Sequence, residues 1–249
     1  MSGHNRWSKI KRQKAAMGAT KGKLYSKVIK EITVAARLGG GEPSGNARLR
    51  VALAAAREAN IPKDTIERAV KKGTGELEGE NYEEVTYEGY GPGGVAILVE
   101  CLTDNRNRTA ADMRSTFNAY GGNLGAEGAV AWMFQKKGVI SVKYGPSEDQ
   151  LMEQAIDAGA EDVIMLGDEG SEVRTAAADL HTVAGRLQES GLPLGQQRWV
   201  FLPQNIVALD VDTAKKLLKL LDALEENDDV QNVHGNYEIE DAILDSLLQ

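Results

Sequence analysis

The densest group of charged side chains in the sequence is a cluster of cations at its amino-terminal end. Residues 3–30 contain no Asp or Glu, and they carry nine basic side chains: Arg6, Lys9, Lys11, Arg12, Lys14, Lys21, Lys23, Lys27 and Lys30. Like charges at this density repel one another, whereas a polyanion gains from them because each neutralised phosphate releases condensed counterions. This acid-free segment therefore predicts a contact with the backbone of a nucleic acid, and a solvated basic tail is the alternative.

Three further side chains belong to the same candidate interface. Trp7 lies among the first cations, where it can stack on a base or pack against the protein. Arg106 and Arg108 come where an apolar run gives way to a helical pattern. Helix amino termini attract anions, so we include both arginines as candidate contacts. Surface charge beside a helix cap, supplied by Asp104 or Asn105, is the alternative for this pair.

The patterns that would indicate an enzyme are weak. The histidines His4, His181 and His234 are far apart, and no His-x-x-x-His or Cys-x-x-Cys spacing occurs. Residues 18–23 are similar to a phosphate-binding loop, but the string is one residue short and lacks the following Ser or Thr. The acidic string 225–229 has oxygens suited to a hard cation, although a solvated turn at a helix end is more typical. We predict no catalytic residue, no metal and no cofactor.

Charge is distributed unevenly along the 249 residues. The whole chain carries 29 basic and 37 acidic side chains, a formal net charge of −8. Residues 1–80 carry 17 basic and 8 acidic side chains, so their net charge is +9 and that of the remainder is −17. The acidic total alone would argue against a nucleic-acid partner. The division instead predicts a basic end, with an acidic remainder that limits indiscriminate adhesion to phosphate.

Two observations concern the compartment. No apolar run approaches the roughly 20 residues that a membrane-spanning helix needs, so we expect no membrane partner. The single cysteine, Cys101, lies in the apolar run 95–102 and is expected to be a buried strand residue. A chain with one cysteine forms no internal disulfide, which is consistent with a reducing, cytoplasmic location.

The first eighty residues predict three helices. In the helix expected at 21–38, the apolar residues fall on one side: Leu24, Tyr25, Val28, Ile32, Ala35 and Ala36. The opposite side carries Lys23, Lys27, Lys30 and Arg37, which we expect to point outward as an ordered array. Residues 47–60 are alanine-rich, and Pro62 precedes a third short helix. The joint between these two helices weakly resembles a helix-turn-helix.

Beyond residue 82 the pattern changes to strands and helices. Strands at 84–89 and 95–102 flank the glycine string 90–94, which predicts a hairpin loop because it joins two strands. Residues 138–202 predict the order β-α-β-β-α-β of a ferredoxin-like domain. A second set of that order combines residues 95–134, including a strand at 130–134, with a strand at 206–209, a helix at 213–225 and a strand at 230–234.

The expected fold class is therefore α+β: an N-terminal three-helix bundle plus two ferredoxin-like α/β domains, one inserted in the other. The expected domains are a basic helical domain at 1–80, a discontinuous α/β domain at 81–136 and 204–249, and the inserted domain at 137–203. The glycine loops at 91–94 and 121–128 are suited to entering a narrow RNA cavity or to turning the chain, and turning is favoured.

Several strings resemble the YebC/PmpR family. They are residues 3–11 with Lys14, 61–69, 102–109, 121–125 and 228–234, so the similarity runs almost end to end. The family's opening is usually closer to Gly-His-Ser-Lys-Trp-Ala-Asn-Ile-Lys-His. Here Asn5, Arg6, Ser8, Lys9 and Arg12 depart from it and add charge. The resemblance implies a cytoplasmic three-domain protein without a known catalytic activity.

What the resemblance implies about the target is divided. Some family members are described as DNA-binding transcriptional regulators. Others, including a mitochondrial relative, are described as ribosome-associated factors that help translation past difficult stretches such as proline runs. Both descriptions require a basic surface. We therefore expect a non-enzymatic nucleic-acid-binding regulator of gene expression with duplex DNA as its target. Ribosomal RNA is the alternative target, and both a ribosome partner and the oligomeric state stay open.

Overall fold

A computed structural model describes residues 20–143, 147–167, 170–240 and 242–244 of the chain. The helices are α1 Thr20–Gly39, α2 Ala47–Glu58, α3 Lys63–Thr74, α4 Arg106–Ala119, α5 Glu148–Ala158, α6 Leu180–Glu189 and α7 Val211–Glu226. The strands are β1 Glu83–Tyr90, β2 Ala96–Thr103, β3 Asn123–Leu124, β4 Phe134–Val142, β5 Asp162–Met165, β6 Ser171–Ala176, β7 Leu194–Pro203, β8 Val207–Ala208, β9 Val230–Gly235 and β10 Tyr237–Glu238. The α+β class is confirmed. Two compact units are present: Met1–Phe134 with Pro203–Gln249, and Gln135–Leu202.

The three helices expected in the first eighty residues are confirmed as α1, α2 and α3. Their shared core contains Ile32, Leu49 and Ala56, each fully buried. The crossing of α1 and α3 depends on Gly73, because a Cβ atom there would lie 2.4 Å from the carbonyl oxygen of Thr33. The two helices therefore meet backbone to backbone, and a side chain at this crossing would force them apart.

The sheet of the first unit contains four strands in the order β3-β1-β2-β9, and neighbouring strands are antiparallel. The predicted hairpin is confirmed, with β1 and β2 in register from Glu83↔Thr103 to Tyr90↔Ala96. Helices α4 and α7 cover one face of this sheet. Their buried contributions include Phe117 and Leu220, which pack in one cluster with Ile97 and Val99 of β2.

Two details of this sheet differ from expectation. The strand predicted at 130–134 is wrong: Ala131–Met133 is a short 3-10 turn, and Phe134, the last residue of this part of the first unit, begins β4, which continues into the second unit. The segment expected at 206–209 is the two-residue strand β8, which pairs in parallel with β10 and lies outside the main sheet. Strand β1, and not the segment 206–209, lies beside β2 in the middle of the sheet. A hairpin between β1 and β2 closes a much shorter loop than pairing of β2 with a distant segment would.

The second unit has the ferredoxin-like topology that the sequence predicts. Its sheet order is β5-β6-β4-β7, and the elements follow β4-α5-β5-β6-α6-β7 along the chain. Helices α5 and α6 supply Leu151 and Leu187 to a core shared with Ile140 and Val173. Within the described ranges, no helix has the length and apolar character that crossing a bilayer requires.

Candidate nucleic-acid interface

The basic side of α1 contacts the carboxyl end of α7. Each of three lysine amino groups donates a hydrogen bond to a main-chain carbonyl oxygen: Lys23 to Glu226 at 2.9 Å, Lys27 to Glu225 at 2.8 Å and Lys30 to Asp228 at 3.0 Å. The last carbonyl groups of a helix lack intrahelical partners and carry the negative end of its dipole. The lysines therefore act as a cap on α7, supplied by a helix about 200 residues earlier in the chain.

Arg37 completes this arrangement at the other end of α1. Its guanidinium donates to the carbonyl oxygens of Glu80 at 3.0 Å and Tyr82 at 3.2 Å, and it also contacts the side chain of Asn81. We call Lys23, Lys27, Lys30 and Arg37 the α1 cation cluster. The expectation that this cluster points outward as a free array is wrong, because its charged groups fasten the helical bundle to the α/β part of the same unit.

Asp229 is the most connected acidic side chain of this contact. Its carboxylate accepts hydrogen bonds from Lys30 and Thr109, each at 2.8 Å, from Arg108 at 2.8 Å and from Thr103 at 3.2 Å. Only 6% of its side chain is exposed. Burial acts to raise the pKa of Asp229, but the hydrogen bonds from Arg108, Lys30 and Thr109 outweigh it and hold that pKa at about 2.

The amino terminus of α4 is capped and balanced by the protein itself. Asn105, one of the two expected caps, accepts a hydrogen bond from the backbone N–H of Arg108 at 3.1 Å. The Arg108 side chain pairs with Asp229 and with Asp104, both at 2.8 Å, and these partners raise its pKa. The side chain of Arg106 is exposed. Of the two arginines expected at this helix end, only Arg106 is free of an ion pair within the described residues.

The remaining candidate residues lie at the amino-terminal end. The structure describes neither the segment containing Arg6, Trp7, Lys9, Lys11, Arg12 and Lys14 nor the side chain of Lys21. The prediction that these seven residues contact a nucleic acid lies outside the described residues and stays a prediction.

The helical bundle also carries cations that the sequence pattern did not place in the interface. Arg48 pairs with Glu31 at 2.6 Å and with Glu84 at 2.7 Å, and it is therefore used internally. Exposed cations of α2 and α3 without an ion pair to a described carboxylate include Arg57, Arg68 and Lys71, whereas the exposed Arg50 donates to the carbonyl oxygens of Pro43 and Ser44. A helical pattern offered a signal for Lys71, which lies about 200° around α3 from the buried Ala69.

Nothing in the described ranges is arranged as a metal or thiol site. His, Cys, Asp and Glu side chains form no group suited to holding a metal ion in those ranges. Cys101 is buried, and burial raises the pKa of its thiol to about 12, which keeps the thiolate form out of reach at neutral pH.

The sequence of the chain matches two profiles of a known protein family. The family profile described as the TACO1/YebC protein N-terminal domain matches residues 5–76, and the profile described as the TACO1/YebC second and third domain matches residues 82–237. The chain belongs to the TACO1/YebC family. The resemblance to YebC/PmpR proteins seen in the sequence is thereby confirmed.

Relatives in this family are similar along their whole length. A probable transcriptional regulatory protein from Myxococcus xanthus (strain DK1622) is 97% identical over 249 residues, which is all of both chains. One from Sulfurihydrogenibium sp. is 55% identical over 251 residues, covering 99% of each chain. The solved structure of the conserved hypothetical protein Aq1575 from Aquifex aeolicus is 50% identical, with a TM-score of 0.81 over 90% of this chain and 92% of that chain.

Proposed function

We propose that this protein is a non-enzymatic, nucleic-acid-binding regulator of gene expression that acts in the cytoplasm. The observation that carries the proposal is the segment 3–30, with nine cations and no acidic residue. A segment of this composition gains free energy chiefly from a polyanion, because neutralised phosphates release counterions. The printed names of the relatives, probable transcriptional regulatory proteins, support a regulatory role.

The α1 cation cluster already hydrogen-bonds to other parts of the protein, which reduces the number of residues that we assign to phosphate contact. Lys27 and Lys30 already donate to carbonyl oxygens at 2.8 and 3.0 Å, so binding a phosphate would first cost them those partners. We therefore assign the main phosphate contact to Arg6, Lys9, Lys11, Arg12, Lys14 and Lys21, with Trp7 beside them. The exposed side chains Arg57, Arg68, Lys71 and Arg106 are secondary contacts in this proposal.

The first test is charge reversal within that segment. Changing Lys9, Lys11 and Lys14 to Glu should weaken binding to a labelled DNA duplex and to a labelled RNA stem-loop, because backbone contact is independent of sequence. The salt dependence is the sharper measurement: each lost phosphate contact should reduce the slope of log K against log salt by about 0.9 on duplex DNA. A slope equal to that of the wild-type protein would contradict the proposed contact.

The matched control is a second set of three lysines on α7. Lys215, Lys216 and Lys219 are exposed, so changing them to Glu should not disturb the fold. Because three lysines are replaced in each variant, the net charge changes by the same amount. This control variant should retain most of the affinity and the salt slope. If the two variants lose affinity equally, the effect comes from overall charge, and the acid-free segment is not the contact.

The target is tested separately. The relatives' names favour a role in transcription, for which we propose duplex DNA as the target, and ribosomal RNA with a role in translation is the alternative. Sedimentation of a cell lysate through a density gradient separates the two. Co-migration with ribosomes that survives DNase treatment would favour the translation alternative. Migration away from ribosomes, together with a promoter footprint, would favour transcription.

A further inference from the structure

An exposed tryptophan lies in the first unit, far along the chain from the basic segment. Trp132 sits in the 3-10 turn Ala131–Met133, and 67% of its surface is exposed, the largest value among the described large apolar side chains. A side chain of this size usually buries most of its area. The exposure of Trp132 therefore indicates that its ring binds a partner.

The backbone around Trp132 is held by a buried carboxylate. Glu88 of β1 is 5% exposed, and its two oxygens accept hydrogen bonds from the backbone N–H groups of Gly128, Val130 and Ala131, each at 2.7 Å. Burial acts to raise the pKa of Glu88, but the three N–H donors outweigh it and lower that pKa. The carboxylate is therefore charged at neutral pH and pins three of the residues that lead up to the indole.

A second acceptor orients the indole itself. The carbonyl oxygen of Ala129 accepts hydrogen bonds from the indole N–H of Trp132 at 3.2 Å and from the hydroxyl of Tyr90 at 3.1 Å. The polar edge of the ring is thus satisfied within the protein, while most of its surface stays in solvent. The ring does not need a partner for its N–H group. What it offers is an apolar aromatic surface.

Close backbone contacts make this segment part of the sheet. The N–H of Gly125 donates to the carbonyl oxygen of Glu88 at 2.7 Å. A Cβ atom on Gly122 would lie 2.5 Å from the carbonyl oxygen of Tyr90, so the chain approaches β1 closely there. We call residues 121–132 the indole loop. Its attachments fix the ring in advance, so a ligand that binds it loses little further conformational entropy in the protein.

The surroundings of the ring favour a flat aromatic ligand over a protein partner. Protein hot spots are surrounded by contacts that exclude water. Besides Trp132, the exposed residues of the indole loop are Gly121, Asn123, Ala126, Glu127, Gly128 and Ala131, which offer little apolar area. A nucleobase needs only one exposed ring, because every base has a π face and stacking tolerates any base.

We propose that Trp132 is a stacking platform for an unpaired nucleobase of the nucleic-acid target. This inference rests on the proposed function and adds to it the kind of nucleotide that is bound. The bases of an intact duplex are stacked on one another, so their faces are closed to an indole. Single-stranded segments, loops and bulges present those faces. The target bound at the indole loop therefore contains unpaired nucleotides.

Affinity measurements with Trp132 variants test the inference. The probes are a labelled twelve-nucleotide single-stranded RNA and a perfectly paired duplex of the same length. Trp132→Ala should weaken binding of the single strand by about tenfold, because the stacked base loses its aromatic partner, and should leave duplex binding unchanged. Trp132→Phe, which retains a ring, should restore most of the affinity. Leu38→Ala, at a side chain near the end of α1 that is 64% exposed, is the control for loss of apolar surface and should have no effect.

The outcomes separate this inference from the proposed function. If the wild-type protein binds neither probe at low salt, the proposed function fails and the inference falls with it. If the wild-type protein binds the single strand and Trp132→Ala binds it equally well, the inference alone is wrong. An equal loss on single strand and duplex would also overturn stacking on an unpaired base. Stacking is further expected to leave the salt slope unchanged, whereas reversal of Lys9, Lys11 and Lys14 reduces it.

Discussion

Replacing Asp229 with Asn should loosen the attachment of the helical bundle to the α/β part of the first unit. Asn keeps the shape of the side chain but removes the charge that faces Lys30 and Arg108 at 2.8 Å. Removing one partner of a buried ion pair costs about 3–5 kcal/mol. Arg108 is half-exposed, and Lys30 keeps the carbonyl oxygen of Asp228. We therefore expect a loss of about 2–3 kcal/mol in the free energy of unfolding, which is below that range because both cations keep other contacts.

The pH dependence gives an independent value for the same interaction. The pKa of Asp229 falls from 3.8 to about 2 on folding, and a difference of this size corresponds to roughly 2 kcal/mol. Because the folded pKa is depressed, this stabilisation is fully present above pH 4 and is lost as the pH falls towards 2. The stability difference between the wild-type protein and Asp229→Asn should therefore shrink between pH 5 and pH 2.

Urea unfolding measures this loss. A Trp199→Phe background removes the tryptophan of the second unit, so that Trp132 reports on the described part of the first unit. Asp228→Asn is the matched control, because Lys30 contacts the main chain of Asp228 and the exposed carboxylate there has no described partner. The control should change stability by less than about 0.5 kcal/mol. Equal stability of the two variants, or a difference independent of pH, would refute the role assigned to Asp229.

Three further changes test other parts of the structure. Gly73→Ala should destabilise the helical bundle by about 1–3 kcal/mol, because the added methyl group overpacks the helix crossing. Gly22→Ala, with open space around it, should instead stabilise α1 by up to about 1 kcal/mol. Thermal unfolding of the two variants measures both changes. Glu88→Gln should speed hydrogen exchange of the amides that its carboxylate holds, and Glu83→Gln, at an exposed position of the same strand, should not. Cys101 should react slowly with a thiol reagent at pH 8, since its pKa is about 12, and rapidly once urea unfolds the chain; fast reaction in the folded state would contradict its burial.

Patterns that repeat locally were predictable from the sequence. The apolar side of α1, the cap at Asn105 and the order of helices and strands along the second unit follow from helical periodicity, capping chemistry and the alternation of strand and helix patterns. Each of these depends on residues close together in the chain. They are confirmed because nearby residues alone determine them.

Contacts between distant segments were not predictable in the same way. The lysines of α1 appeared free because their partners are main-chain carbonyl oxygens of residues 225–228, and a carbonyl oxygen carries no sequence signal. Glu88 alternates with apolar residues along β1, a pattern that predicts a solvent-facing carboxylate. It is buried because the indole loop folds over it. The apolar string 130–134 predicts a strand, but the N–H groups of Val130 and Ala131 donate to the Glu88 carboxylate instead of to a neighbouring strand.

The way in which the second unit leaves and rejoins the first has a further consequence. Strands β4 and β7, which carry the chain out and back, are neighbours in one sheet, and the N–H of Gln204 donates to the carbonyl oxygen of Met133 at 2.8 Å. The excursion therefore begins and ends at almost the same point, and a short turn would be long enough to close the gap. Residues 135–202 thus form an insertion whose two ends lie close together. Its geometry allows the insertion to be removed, lengthened or exchanged without moving the residues of the first unit on either side of it.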